Sequence, residues 1–257
     1  MGSSMSWVSP DHPRAESLRI RERLAEGFRR GLVVPEGLAA HGRGEAFDYL
    51  LGEKTTPLAR KAVKAAVAQL LLARRPVISV NGNAAALVPR ELVKLSKITG
   101  APLEVNLFHG SAEREKKIVG WLKRHGAGDV LGADHKFSAR IPEIQSHRRK
   151  VDRRGILAAD VVLVPLEDGD RTEALKRLGK SVIAVDLNPM SRTSRAADIT
   201  IVDNIVRAMP LMVKEAEKLR KLPKGVLKRI VKNFSNRENL RSSFSLMARG
   251  LKRLARK

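Results

Sequence analysis

Three groups of carboxylate and amide side chains occur at one kind of position in this chain: Asp168-Gly169-Asp170, Asp186-Leu187-Asn188 and Asp203-Asn204. Each follows a short, nearly all-apolar run: residues 161–165, 182–185 and 199–202. A carboxylate just past a strand accepts two hydrogen bonds in a fixed fork, which suits ribose hydroxyls, and Asp186 fits that role. Asn188 and Asn204 carry both donors and acceptors and could read the edge of a base. Arg21, Arg43 and Arg192 could hold triphosphate oxygens, and Asp168 or Asp170 could carry Mg2+ through oxygen ligands. The competing explanation is loop-start capping, because Asp and Gly populate turns anyway. Three such clusters at successive strand ends point to a nucleotide site.

Other chemistries find less support. The chain has no cysteine, which excludes disulfides, thiolate metal sites and cysteine nucleophiles. The six histidines show no metal-binding spacing, so no resident metal site is expected; His41, beside Gly42-Arg43, is the one histidine worth testing. No serine sits in a nucleophile elbow, and no Gly-x-Gly-x-x-Gly follows a strand, which disfavours acyl-enzyme hydrolysis and a dehydrogenase. The spacing Gly37-x-x-x-x-Gly42 imitates a Walker loop, but Arg43-Gly44 replaces its Lys-Ser/Thr. Residues 37–52 read as a glycine-bracketed turn that offers backbone N–H groups and one guanidinium to an anion and opens a helix at Glu45.

The elements that position these groups follow from periodicity. Short apolar runs broken by turn chemistry are strands covered on both faces of a parallel sheet. Besides the three runs above, strands are expected at residues 77–80, 103–107 and, more weakly, 129–131. Helices are expected from Pro13 to about Arg30 with Asp11 as cap, from Pro57 with Thr56 as cap, at 89–98, after Ser111, and from Arg171 to Leu178. In the first helix Leu24 and Phe28 mark the apolar side, with Arg14 and Arg21 projecting on it. Either these arginines reach into an anion site or they lie over apolar neighbours at the surface. Residues 134–155 have no clear period and read as a loop-rich excursion over a site. From Asn204 onward the pattern is helical only, with Asn204, Pro223 and Asn236 opening three helices. The expected architecture is α/β, a Rossmann-like, mostly parallel sheet with helices on both faces plus a C-terminal helical segment. Residues 1–210 form the main domain with its N-terminal helices, and residues 211–257 pack on it.

At 257 residues and 43% hydrophobic, the chain can bury one large core. No apolar run approaches the roughly 20 residues that cross a bilayer, so a soluble cytoplasmic protein with no membrane partner is expected. The net charge of +23 is concentrated after Met212. Such a tail either binds RNA or is a solvated basic face, and with 4% aromatics not interleaved among the cations, base stacking has little support.

Several segments, in order, carry a resemblance: His12-Pro13-Arg14, residues 41–50, Val80-Asn81-Gly82-Asn83 with residues 85–89, Asn106-Leu107-Phe108, residues 159–174, Asp186-Leu187-Asn188-Pro189 and residues 197–208. They resemble the archaeal phosphopantothenate synthetases, also called 4-phosphopantoate–β-alanine ligases, over about residues 12–210, the basic tail lying outside. The resemblance implies a Rossmann-like homodimer in coenzyme A biosynthesis that joins 4-phosphopantoate to β-alanine with ATP cleaved to AMP and diphosphate. It implies ATP contacts at Arg21, Arg43, Asp186, Leu187, Asn188, Arg192, Thr193, Asn204 and Ile205. Substrate binding is expected at Asn81, Gly82 and Asn83, which would take the substrate phosphate, and at Asp168 and Asp170; Lys150 and His41 are the catalytic candidates. One departure is His109-Gly110-Ser111, where similar sequences have Tyr-Arg-Thr. The rival expectation is a nucleotide- or RNA-binding Rossmann-like module using the basic tail.

Overall fold

A computed structural model describes residues 9, 11–166 and 168–255. Its strands are β1 (Pro76–Val80), β2 (Leu103–Val105), β3 (Val130–Leu131), β4 (Ser138–Arg140), β5 (Lys150–Asp152), β6 (Val161–Pro165), β7 (Ser181–Val185) and β8 (Ile199–Ile201). Six form one all-parallel sheet in the order β3-β2-β1-β6-β7-β8, with Ile78 opposite Leu103 on one side and Leu163 on the other. The order reverses between β1 and β6, which is the topological switch point of a doubly wound sheet. The α/β, Rossmann-like expectation is met.

Burial on both faces explains the unbroken apolar runs. Side chains alternate with the strand period of two. Ile78, Val80, Leu163, Ile183 and Val185 enter one core with Val63, Leu70, Leu92, Met209 and Met212. Val77, Val162, Val164, Val182 and Ala184 enter the other, with Ala174 and Leu175. The second core also contains Ile141, Ile144, Val151 and Ile156. Residues 134–155 are rich in turns and short 3-10 segments, as expected, but they do more than form a loop over a site. They hold the antiparallel pair β4–β5 and close one face of the sheet, and their two short strands are too brief to show a period.

The helices are α1 (Ala15–Arg29), α2 (Pro35–Leu51), α3 (Pro57–Leu72), α4 (Gly82–Leu87), α5 (Pro89–Thr99), α6 (Ala112–Arg124), α7 (Gly169–Arg177), α8 (Arg192–Ala196), α9 (Ile205–Leu219), α10 (Lys224–Lys232) and α11 (Asn236–Leu254). Thr56, Ser111, Asp168 and Asn204 cap α3, α6, α7 and α9 through side-chain oxygens.

Four expectations are corrected. Helix α1 starts after Arg14 with no side-chain cap, so Asp11 and Pro13 lie outside it. Its inward stripe runs through Ile20, Leu24 and Gly27, leaving Phe28 and Arg14 exposed. Residues 37–52 are not a turn: α2 runs through them from Pro35 and stops at Gly52 in the left-handed region (φ 77°). Pro35 presets the first turn, and three interior glycines do not outweigh the tertiary contacts of the helix. Ser235, not Asn236, caps α11; the Asn236 amide instead donates to Ser194 O and Ala197 O and accepts from Thr200 N. Helix α9 spans residue 210, and α10 and α11 pack on α3 and α2. No described helix is long and apolar enough to cross a membrane.

Candidate active site

The switch point brings the end of β1 beside the end of β6. Asn81 holds them together, its Nδ2 donating to Pro165 O and Leu166 O, both at 2.9 Å, while its Oδ1 accepts from Ala84 N. Asn83 Nδ2 donates to Gly37 O at 2.8 Å and so ties the same loop to α2. At Gly82 a Cβ would stand 2.1 Å from Leu32 O, so no other residue fits without moving backbone. The triplet reaches the crevice as expected, but both of its amides brace the loop.

On the other side of the crevice, β7 ends in Asp186. Its Oδ1 accepts from Asn188 N at 2.9 Å and its Oδ2 from Ser191 Oγ at 2.5 Å. Burial pushes its carboxyl up, against the pull of those hydrogen bonds and of Arg43. Asn188 Oδ1 accepts from Met190 N, so the Asp186–Met190 loop is locked by its own side chains. Leu187 is buried with Leu51, Val202, Leu240 and Met247, and Gly44 of α2 packs directly over it. Asn204 caps α9 and donates from Nδ2 to Asp48 Oδ2 at 2.9 Å; Ile205 is core.

Helix α2 thus lies across the ends of β7 and β8, carries Arg43 and holds Arg21 of α1. Arg43 is exposed in mid-helix, facing Asp186 electrostatically. The backbone N–H groups around it belong to the helix and offer nothing to an anion, contrary to the turn expectation. Arg21 comes from α1 and forks onto Glu45 of α2, Nη2 to Oε2 at 2.8 Å. Glu45 also accepts from Ser17 Oγ and Tyr49 Oη; burial alone would raise its carboxyl, but these three partners hold it low. His41, one turn before Glu45, is kept neutral mainly by burial. Arg207 of α9 bridges Asp48 and Asp203.

Arg192 opens α8, with Thr193 buried behind it, and reaches Asp170 at 2.6 Å and Glu173 at 2.8 Å. Gly169 admits it, since a Cβ there would lie 2.4 Å from Arg192 Cβ. Asp168 caps α7 and pairs with the buried Arg148, Nε to Oδ2 at 2.6 Å. Lys150 of β5 pairs with Glu115 at 2.7 Å. Among the described residues no group of three His, Asp or Glu could hold a metal ion.

Arg21, Arg43, His41, Asp186, Asn188, Arg192 and Asn204 therefore surround the ends of β7 and β8. Asn81, Gly82, Asn83, Asp168 and Lys150 surround the ends of β1, β2 and β6. Glu45, Asp48, Arg148 and Arg207 are additional. Arg207 sits four residues after Asp203, a spacing visible in sequence but easily read as a solvated face, whereas Asp48 has only Glu45, a like charge, near it on α2. Two surface clefts, of about 320 Å³ beside α1 and α6 and about 440 Å³ beside α3 and α10, have none of these residues in their walls. Convergent charge, not cavity volume, marks the site.

The model of the phosphopantothenate/pantothenate synthetase family matches residues 58–250. The 4-phosphopantoate–β-alanine ligase of Thermococcus onnurineus is 51% identical over 92% of this chain and 90% of its own. That of Thermococcus kodakarensis is 52% identical over 91% and 89%. That of Methanosarcina mazei is 49% identical over 98% of both chains. Residues 211–250 of the basic segment, outside the motifs first recognised, are inside the family match.

Proposed function

Because the chain belongs to the phosphopantothenate/pantothenate synthetase family, we propose that it joins (R)-4-phosphopantoate to β-alanine. ATP is cleaved to AMP and diphosphate, and the product is 4'-phosphopantothenate for coenzyme A biosynthesis. One observation carries the reading beyond kinship. Helix α2, bonded to the end of β8 through Asp48 and Asn204 and packed on Leu187 at Gly44, brings Arg43 to the Asp186 loop, while Arg21 is tied to the same helix.

The chemistry is two displacements. A pantoate carboxylate oxygen attacks the α-phosphorus of ATP, breaking its bond to diphosphate and forming an acyl-adenylate. The amine of β-alanine then attacks the acyl carbon, AMP leaves, and the ammonium proton is lost. Positioning and charge neutralisation do most of this work. Arg21, Arg43 and Arg192 neutralise the triphosphate, with Thr193 and Ile205 buried beneath it at the starts of α8 and α9. Asp186, Leu187, Asn188 and Asn204 shape the adenosine pocket, and Asn81, Gly82 and Asn83 frame the phosphopantoate. His41, neutral near pH 7, and Lys150 are the two candidates for moving the proton.

Mg2+ takes one or two carboxylates and otherwise substrate phosphates and water. The residues fit that: Asp168 is committed to Arg148, whereas Asp170 is 68% exposed beside Arg192 and can join a triphosphate-bound ion. Residues 1–210 hold the chemistry and residues 211–257 brace it in a cytoplasmic homodimer, whose mass light scattering would report. Incubation with ATP, β-alanine and 4-phosphopantoate yields AMP that requires all three and stops with EDTA. AMP formation independent of 4-phosphopantoate would refute the reading.

A further inference from the structure

Arg114, in the first turn of α6, reaches into the switch-point crevice. Its Nε donates to Leu32 O at 2.9 Å and its Nη1 to His109 O at 2.6 Å. Its Nη2 lies 2.5 Å from where a Cβ on Gly82 would stand. Two carbonyls from different connections thus aim the guanidinium at the backbone of the Asn81-Gly82-Asn83 loop, and only glycine at residue 82 leaves it room.

Its charge balance separates Arg114 from the other arginines at the strand ends. Arg21 meets Glu45, Arg192 meets Asp170 and Glu173, Arg207 meets Asp48 and Asp203, and Arg148 meets Asp168. Among the described residues no carboxylate lies within ion-pair distance of Arg114; Glu36 acts on it only from farther away. Burial and then the positive charge of Arg148 both pull its pKa down, so a second cation is its electrostatic neighbour. Arg148 already carries Asp168, so Arg114 is the guanidinium left without a carboxylate, and an anion beside it would offset its charge. The triphosphate arginines Arg43 and Arg192 stand across the switch point, at β6 to β8, so this is a second anion position.

We propose that Arg114 binds the phosphate of the phosphorylated acid substrate and makes the enzyme prefer it over the unphosphorylated acid. The inference rests on the ligase reading and names the group that distinguishes its substrate. Nη1 and Nε are fixed by carbonyls, leaving Nη2 and the delocalised charge to the phosphate, with Arg148 adding potential from behind.

The test is steady-state kinetics of Arg114→Met and Arg114→Lys with ATP, β-alanine and either 4-phosphopantoate or pantoate, following AMP. Losing a charge-assisted hydrogen bond raises KM for 4-phosphopantoate about 10- to 100-fold in Arg114→Met. KM for ATP and β-alanine and turnover of pantoate stay at wild-type values, so the preference for the phosphorylated acid collapses. Arg114→Lys, which keeps the charge but loses the fork, falls between; if Arg114→Met does not fold, Arg114→Lys shows the same selective rise, smaller. Unchanged KM for 4-phosphopantoate, or an equal loss with pantoate and ATP, would mean that Arg114 only staples the two connections, and the proposal falls. Wild-type enzyme that makes no AMP from 4-phosphopantoate would instead defeat the ligase reading itself.

Discussion

Asn204 Nδ2 donates to Asp48 Oδ2 at 2.9 Å, joining the cap of α9 to the last turn of α2 across 156 residues of chain. The same carboxylate accepts from Arg207, Nη2 to Oδ1 at 2.5 Å and Nη1 to Oδ2 at 3.1 Å. Asp48 is 4% exposed, so it is the anion that reconciles a buried amide and a half-buried guanidinium, and it fixes where α2 crosses the sheet.

Asp48→Ala removes that anion and leaves Asn204 and Arg207 without it. Breaking a buried pair by deleting one partner costs roughly 3 kcal/mol, here moderated because Asp203 still faces Arg207. The urea midpoint falls accordingly, and KM for ATP rises because α2 carries Arg43. Asp48→Asn keeps the shape and costs less. Wild-type stability in Asp48→Ala would show that α2 is held by its apolar contacts alone.

Arg43→Ala separates binding from folding. Arg43 is exposed in mid-helix, where alanine is the better helix former, so the melting temperature stays within a degree or so of wild type or rises. A guanidinium directed at a phosphate contributes a charge-assisted bond, and its loss raises KM for ATP about tenfold or more. Normal ATP kinetics in the folded variant would remove Arg43 from the site.

Arg192 is held by Asp170 and Glu173, both of which a triphosphate bound there as proposed must displace. Exposed pairs of this kind are weak, so the competition is mild. Asp170→Asn combined with Glu173→Gln therefore tightens ATP binding without Mg2+, by up to about fivefold in calorimetry. If Asp170 serves the metal, the same variant weakens the Mg2+-dependent reaction. Opposite signs with and without Mg2+ are the expected signature, and weaker binding under both conditions would contradict it.

The sequence signals differed in kind. The parallel strands were legible because both faces are buried, making β6 and β7 unbroken apolar runs. The acidic and amide residues at their ends were legible for the same reason, since polarity returns where the sheet stops. Helix α2 was not: glycines at 37, 42 and 44 read locally as a turn, and only contacts with Asn83 and Leu187, distant in sequence, show why they lie in a helix. Asn188 and Asn204 looked like base-reading amides, yet Asn188 Oδ1 is spent on Met190 N and Asn204 on Asp48 and its own helix. A side chain's type shows what it can bond; only the fold shows what it already bonds.

Glu104 gives a pH dependence with a definite sign. It lies on β2 at 0% exposure, accepting from Asp152 N at 2.9 Å and Ile156 N at 2.5 Å. Burial pushes its carboxyl up to about 7; the two backbone hydrogen bonds and Arg171 oppose this, and Asp152 reinforces it. Below the unfolded value of 4.5 both states are protonated and ionisation costs nothing. Between 4.5 and about 7 the unfolded chain releases the proton first, so stability falls as pH rises, by about 3 kcal/mol in all, and levels off above. Glu104→Gln cannot titrate, but its NH2 cannot accept the second N–H, a defect of about 1–3 kcal/mol at every pH. In urea titrations the wild type is therefore the more stable protein at pH 5, and its advantage shrinks or reverses by pH 8. A gap that stays constant across that range would mean Glu104 is ionised throughout, with its two N–H partners outweighing its burial.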